Sequence, residues 1–234
     1  MIRKIQTLRY GAGACLIGAG VIYLVAEAAT AGAWETPPYS YSFNYISDLG
    51  APVCDTYQGR AVCSPLHGVM NAGFVVHGAL FVLGAILAAA SLRWLSSRLY
   101  IAFAVVHAVG VSLVGTVPET TPWPAGSLHF LGALLAIVGG NVAVIAGDRA
   151  GIRPVTPRWL PAAGVALGIL GVASFAFLIA RPELFPDFLS TVGDGVFERL
   201  SVYTIVAWEL LAGILLLCGP GFRREAVHPP RVAE

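Results

Sequence analysis

Apolar residues gather along this chain in six long stretches, each close to or above the roughly 20 residues that a helix needs to cross a hydrocarbon layer. The stretches are Tyr10–Ala33, His67–Leu92, Leu99–Val117, Gly126–Ile145, Leu160–Ala180 and Val196–Leu217. Between them stand Thr36-Pro37-Pro38, the segment from Pro118 to Pro124, Arg153-Pro154-Val155-Thr156-Pro157 and Arg181-Pro182-Glu183. Proline breaks helices, so these segments read as turns at a membrane edge. The expected fold is an all-α integral membrane protein with six transmembrane helices. It forms a single membrane domain over residues 1–222, followed by a short tail over 223–234. The longest connector, Trp34 to Leu66, is too small to build a core of its own, and no internal repeat is evident.

Charge placement gives the chain a direction. Arg3, Lys4, Arg9, Arg93, Arg98, Arg149, Arg153, Arg158, Arg223, Arg224 and Arg231 fall on one side, leaving Arg60, Arg181 and Arg199 for the other. Cytoplasmic loops retain Lys and Arg, so both termini are expected in the cytoplasm. The opposite face gathers Glu35, Asp48, Asp55, Glu119, Glu183, Asp187, Asp194 and Glu198. The first stretch follows Arg3, Lys4 and Arg9 and ends in Ala31-Gly32-Ala33, which resembles a signal-peptide cleavage site. A signal h-region has only ~7–15 residues, so an uncleaved helix is expected instead.

Composition agrees with a lipid solvent: 57% of the 234 residues are hydrophobic and 12% charged, against roughly 25% charged in globular domains. A net charge of +1 offers no field for nucleic acid. The partners implied are membrane lipids, a small amphiphilic ligand and a protein neighbour in the membrane. No G-x-S-x-G, phosphate loop or dinucleotide fingerprint occurs, and the sequence names no cofactor. In the fourth stretch Gly132, Ala136 and Gly140 repeat small residues every four, and Gly164 and Gly168 do so in the fifth, which favours close helix contact.

Of the four cysteines, Cys54 and Cys63 lie in the long connector, while Cys15 and Cys218 lie in apolar stretches. On an oxidising outer face the connector pair is expected to close a disulfide; C-x8-C without neighbouring His is a poor zinc spacing. The same connector carries Tyr39-Ser40-Tyr41-Ser42-Phe43-Asn44-Tyr45-Ile46-Ser47-Asp48-Leu49-Gly50. Its aromatic residues suit a membrane interface. Ser47 or Asp48 can cap a short interfacial helix, or Asp48 can point into the mouth of the bundle.

Five segments together carry a resemblance: Asn44-Tyr45-Ile46-Ser47-Asp48-Leu49-Gly50, His67, Gly115-Thr116-Val117-Pro118-Glu119, His129, and Gly195 to Tyr203. Nearly the whole chain resembles the bacterial family called domain of unknown function 998, which implies a six-span fold and a bacterial plasma membrane but no particular reaction. Ile46-Ser47-Asp48-Leu49-Gly50 is also similar, more faintly, to the Ile-Ser-Asp-Thr-Gly loop of the eukaryotic six-span group of autophagy modulators and a GPI-anchor remodelling factor. Leu49 stands where that group has Thr, and the likeness tilts expectation towards lipid-related work.

Ionisable groups in a membrane are costly, so each marks a candidate site. Asp194, Glu198, Ser201, Ile205 and Glu209 follow i, i+4, i+7, i+11 and i+15 on the sixth span, which puts both Glu side chains on one stripe about 16 Å apart along the axis. Arg199 lies one position round and can pair with a carboxylate; Tyr203 is one turn below it. His67 and Asn71 share a face of the second span, and His129 lies one turn into the fourth. Bringing the second, fourth and sixth spans together would form one outward-opening pocket from Asn44, Asp48, His67, Asn71, Glu119, His129, Glu198, Arg199 and Tyr203. Three readings of this pocket stand open. It binds or helps process a lipid-like molecule, with Arg199 on an anionic head; or it is a metal-dependent hydrolase, with ligands from His67, His129 and Glu119 or Asp48, and Asp48 and Glu198 as catalytic candidates. In the third reading it feeds a proton-coupled transporter through His77, His107 and Glu209. Against all three stands plain hydrogen-bond glue between helices.

Overall fold

The computed structural model describes residues 2–92, 97–149, 157, 159–184 and 192–219. It holds six helices long and apolar enough to cross a membrane: α1 (Ile2–Gly32), α2 (His67–Leu92), α3 (Ser97–Thr116), α4 (Ser127–Arg149), α5 (Leu160–Leu184) and α6 (Asp194–Cys218). Each packs against the next in sequence, α6 returns to α1, and α4 meets α6 across the interior. The result is a closed ring in which one face of every helix looks inward.

Two apolar clusters fill the ring. Near the chain termini Leu16, Phe81, Tyr100, Trp208 and Leu216 pack together; near the long connector Tyr23, Ile46, Leu49, Met70 and Phe74 do so. His77, His107 and Glu209 fall at the seam between the two, each almost completely buried.

The helices reach further than the apolar runs at several ends. α1 starts eight residues before Tyr10, and Arg9, expected among the loop residues, is buried within it. Its Nε donates to the Leu216 carbonyl at 2.7 Å and its Nη2 to Gly219 at 2.8 Å, so a cation satisfies the carbonyls that end α6. The expected turn at Arg181-Pro182-Glu183 is the last turn of α5, which runs to Leu184. Proline in a spanning helix is tolerated where neighbouring groups take up the freed carbonyl. The turn expected over 153–157 and the tail over 223–234 lie outside the described residues apart from Pro157.

The connector between α1 and α2 folds into a lid with short elements that the periodicity does not announce. A 3₁₀ turn spans Ser47–Gly50, and β1 (Cys54–Tyr57) pairs antiparallel with β2 (Arg60–Cys63), Cys54 opposite Cys63 and Tyr57 opposite Arg60. Gln58 and Gly59 join them with φ of 48° and 78°, the positive values that a two-residue hairpin of matching twist requires. The Cys54–Cys63 disulfide closes the open end of this hairpin.

Small residues set the spacing of α3 and α4. A Cβ on Gly110 would sit 2.6 Å from the Gly132 carbonyl oxygen, and one on Gly132 would sit 2.9 Å from that of Gly110. The Gly132, Ala136 and Gly140 repeat therefore lies against α3, and Gly168 faces Asn141 and Ile145 of α4. Replacing Gly110 by Val forces the two backbones apart. Gly110→Val should cost about 1–3 kcal/mol, read as a lower midpoint of thermal unfolding in detergent; an unchanged midpoint contradicts this packing.

Candidate functional site

Three polar clusters tie the lid and the helices together. Asp48 centres the first. Its carboxylate is fully buried and accepts from the Tyr45 backbone N–H at 2.9 Å, from Asn44 Nδ2 at 3.1 Å and from Arg60 Nε and Nη2 at 3.0 and 2.9 Å. Arg60 reaches it from β2 and stacks over the Tyr45 ring. One carboxylate thus ties the 3₁₀ turn to the hairpin, and in this position it staples the lid. Glu119, on the connector between α3 and α4, lies 3.6 Å from Arg60 and accepts from Ser47 Oγ at 3.1 Å.

Two carboxyl groups cannot both ionise in this setting. Burial first, then the shared hydrogen bond and the charge of Asp48, push Glu119 up to about 10, so it holds a proton across neutral pH. Asp48 goes the other way: burial raises it, but the hydrogen bonds from Glu119, Arg60 and Asn44 and the Arg60 charge outweigh burial and hold it below the usual carboxylate range. The cluster of Asp48, Arg60 and Glu119 thus carries one anion, one cation and one neutral acid.

Arg199 centres the second cluster. Its Nε donates to Glu27 Oε1 at 3.1 Å, and its Nη1 donates to the carbonyls of Tyr41 at 2.6 Å, Asn44 at 2.9 Å and Gly195 at 3.1 Å. Its Nη2 donates to the Tyr39 hydroxyl, and Tyr203 donates to Glu27 Oε2 at 2.8 Å. α1, α6 and the lid are clamped together here. Arg199 pairs with a carboxylate as its sequence position suggests, but the partner is Glu27 of α1, outside the expected set, and the guanidinium has spent its donors on the protein itself.

His77 Nε2 and Glu209 Oε1, 2.9 Å apart, form the third cluster with His107, whose Nδ1 donates to the Ala136 carbonyl at 2.7 Å. These residues come from α2, α6 and α3.

The cavity that opens beside these clusters is a cleft of about 350 Å³. Tyr45, Ser47, Gln58, Glu119, His129 and Glu198 line one end; Phe130, Ala133, Leu134 and Ile137 of α4 with Phe175, Leu178 and Ile179 of α5 line the rest. Phe130, Leu134 and Ile179 are 55%, 44% and 62% exposed, so the apolar part faces the surrounding lipid. His129 Nδ1 donates to the Val117 carbonyl at 2.8 Å, which leaves Nε2 as the acceptor of a neutral ring. Glu198 accepts the Ile46 backbone N–H. A smaller internal cavity of about 60 Å³ shares Ser47, His129 and Glu198 with the cleft and runs inward to His77 and His107.

The expected site residues therefore divide. Glu119, His129 and Glu198 share the cleft. Asp48 and Asn44 hold the lid above it, and Arg199 and Tyr203 belong to the clamp. Asn71 donates to the Gly50 carbonyl at 3.0 Å, and His67 lies at the start of α2 with Nδ1 3.0 Å from the Ser64 carbonyl, outside both cavities. His67, His129 and Glu119 do not converge as a ligand set; among the described residues the close group is His77, His107 and Glu209. Arg60 and Glu27 were reachable from the sequence only as isolated charges, since nothing local names their partners.

Six spanning helices with a disulfide-closed lid define a polytopic membrane protein. The chain matches the family described as "Protein of unknown function (DUF998)" over residues 16–215 and belongs to it. No curated protein and no solved structure matches it.

Removing one partner of a buried pair strands the other charge. Arg199→Ala should therefore lower stability by about 3–5 kcal/mol, and Arg199→Met with Glu27→Gln by less than the single change, measured by thermal unfolding in detergent; equal losses would refute the clamp. Glu119 gives a pH test. Its folded value lies above the ordinary 4.5, so its contribution is full below that value and is lost as pH rises through about 10. Wild type should lose stability relative to Glu119→Gln as pH is raised over that window, and parallel profiles would show that Glu119 is ionised.

Proposed function

We propose that this protein works in the bacterial plasma membrane, its lid on the outer face, and binds a lipid-like amphiphile in the cleft between α4 and α5, presenting it or helping to process it. The observation that carries the reading is the division of that cleft: six side chains with polar groups at the lid end, seven apolar ones along the rest, and lipid-exposed residues at its rim. Its volume of about 350 Å³ falls in the range of roughly 300–1,000 Å³ usual for small-molecule sites, enough for part of one chain and a small head. The family's bacterial character and the surplus of basic residues at the terminal side support the location.

The polar end also narrows the head group. Arg60 is spent on Asp48 and Arg199 on Glu27, so neither guanidinium is offered to the cleft. Beside Tyr45, Ser47 and Gln58 stand His129 with an acceptor nitrogen, Glu198, and a protonated Glu119 whose Oε1 is buried without a partner. Acceptors of this kind favour a head that donates hydrogen bonds, a hydroxyl or an amine, over the anionic head that Arg199 suggested from the sequence.

Filling the cleft tests the reading. Ala133→Phe should reduce amphiphile retained by the purified protein about tenfold, a loss of ~1.4 kcal/mol, as measured by native mass spectrometry, while Leu131→Phe on the exposed face leaves it unchanged. Equal retention by both variants would count against the cleft.

A further inference from the structure

Three buried ligand atoms at the seam of the two cores have no partner: His107 Nε2, His77 Nδ1 and Glu209 Oε2. Leaving a polar group unsatisfied in an apolar interior costs about 1–3 kcal/mol, more when it is charged, and His107 Nε2 and Glu209 Oε2 stand beside the His77 Nε2–Glu209 Oε1 contact with nothing to bind. His77, His107 and Glu209 each offer a ligand atom, and these lie within 4.8 Å of one another. Phe81 and Tyr23 wrap the imidazoles, with ring centroids 5.1 Å from His107 and 5.0 Å from His77.

We infer that His77, His107 and Glu209 form a binding site for a divalent transition metal, for which zinc is the best fit. Two imidazoles and one carboxylate are a zinc ligand set with one position left open. His107 already has the supporting contact such a site needs: its Nδ1 donates to the Ala136 carbonyl, which fixes the ring and leaves Nε2 as the ligand. Gly140 makes that fit. A Cβ there would stand 2.6 Å from His107 Nδ1. Ligand atoms around tetrahedral zinc lie about 3.3 Å apart, so atoms that lie within 4.8 Å of one another draw in by at most roughly 1.5 Å around the ion.

Charge and access agree. A Zn²⁺ ion with the Glu209 carboxylate carries one net positive charge, and a bound hydroxide in the open position makes the centre neutral, as a buried place demands. The cavity of about 60 Å³ that reaches His77 and His107 has room for a few waters, each filling ~10–15 Å³ of such a space, and it leads outward past His129 and Glu198. The site does not depend on the amphiphile reading, since no residue of the apolar cleft wall is a ligand.

The test is titration of chelator-stripped, detergent-purified wild type with Co²⁺, followed by the visible bands of a tetrahedral centre, together with metal analysis of the unstripped protein. The expected result is one Co²⁺ per chain and affinity at least about tenfold weaker in His107→Asn, which keeps a donor for Ala136 but lacks Nε2, and in Glu209→Gln, which keeps the contact with His77. His67→Ala, outside both cavities, should bind as wild type does. Wild type that binds no Co²⁺, bands that persist unchanged in both ligand variants, or bands lost in His67→Ala would each overturn the site. If a ligand variant fails to fold, X-ray absorption of zinc-loaded wild type decides: two imidazole scatterers are expected, and fewer than two overturn the assignment.

Discussion

A charge inside a hydrocarbon layer must meet an opposite charge, accept a full set of hydrogen bonds or give itself up, and the interior of this ring is arranged around that demand. Glu27 is answered by Arg199 and Tyr203, Asp48 by Arg60, Asn44 and the Tyr45 N–H, and Glu119 by retaining its proton. The two ion pairs also fasten elements to one another. The clamp brings α1, α6 and the lid together, and the staple joins the 3₁₀ turn to the hairpin. Helix packing alone would leave rotation about each axis weakly determined, because lipid outside is as apolar as Leu inside. The paired charges remove that freedom, and close contact at Gly110 and Gly132 then seats α3 against α4.

The same demand separates structural from functional polarity. Asp48 and Arg199 are saturated by the protein, and saturation marks them as fasteners. His129 and Glu119 keep an unused acceptor beside a cleft, and His77, His107 and Glu209 keep one each at the centre. Unsatisfied groups gathered beside a cavity are where a ligand has something to contribute. The lid therefore does two jobs: it buries its own charges, and it roofs the polar end of the cleft with Ser47 and the Glu198-bonded Ile46 N–H.

Much of the fold was legible in the sequence. The six apolar runs locate every span, and α2 begins and ends at His67 and Leu92 as the run itself does. Periodicity on α6 gave the stripe on which Ser201, Ile205 and Glu209 are buried, and Cys54 and Cys63 gave the lid's crosslink. Hydrophobicity misjudged α1, because Arg9 is polar by type yet buried by the α6 carbonyls it caps. The hairpin was missed because Gln58-Gly59 is a weak turn signal beside Asn-Gly or Asp-Gly. The site was legible as a set of residue types but not as partnerships. Spacing on one helix fixes which residues share a face; it says nothing about which face of another helix is opposite, so Glu27 for Arg199 and His77 for Glu209 required coordinates.

The central claim is that the polar end of the α4–α5 cleft receives the head of an amphiphile whose chain lies against Phe130, Leu134 and Ile179. A density map of the protein reconstituted in nanodiscs of bacterial lipid tests it most directly. Elongated density running between α4 and α5 and ending within hydrogen-bond distance of His129 or Glu119 is the predicted result. A cleft closed by its own side chains, or lipid density that passes the rim without entering, contradicts it.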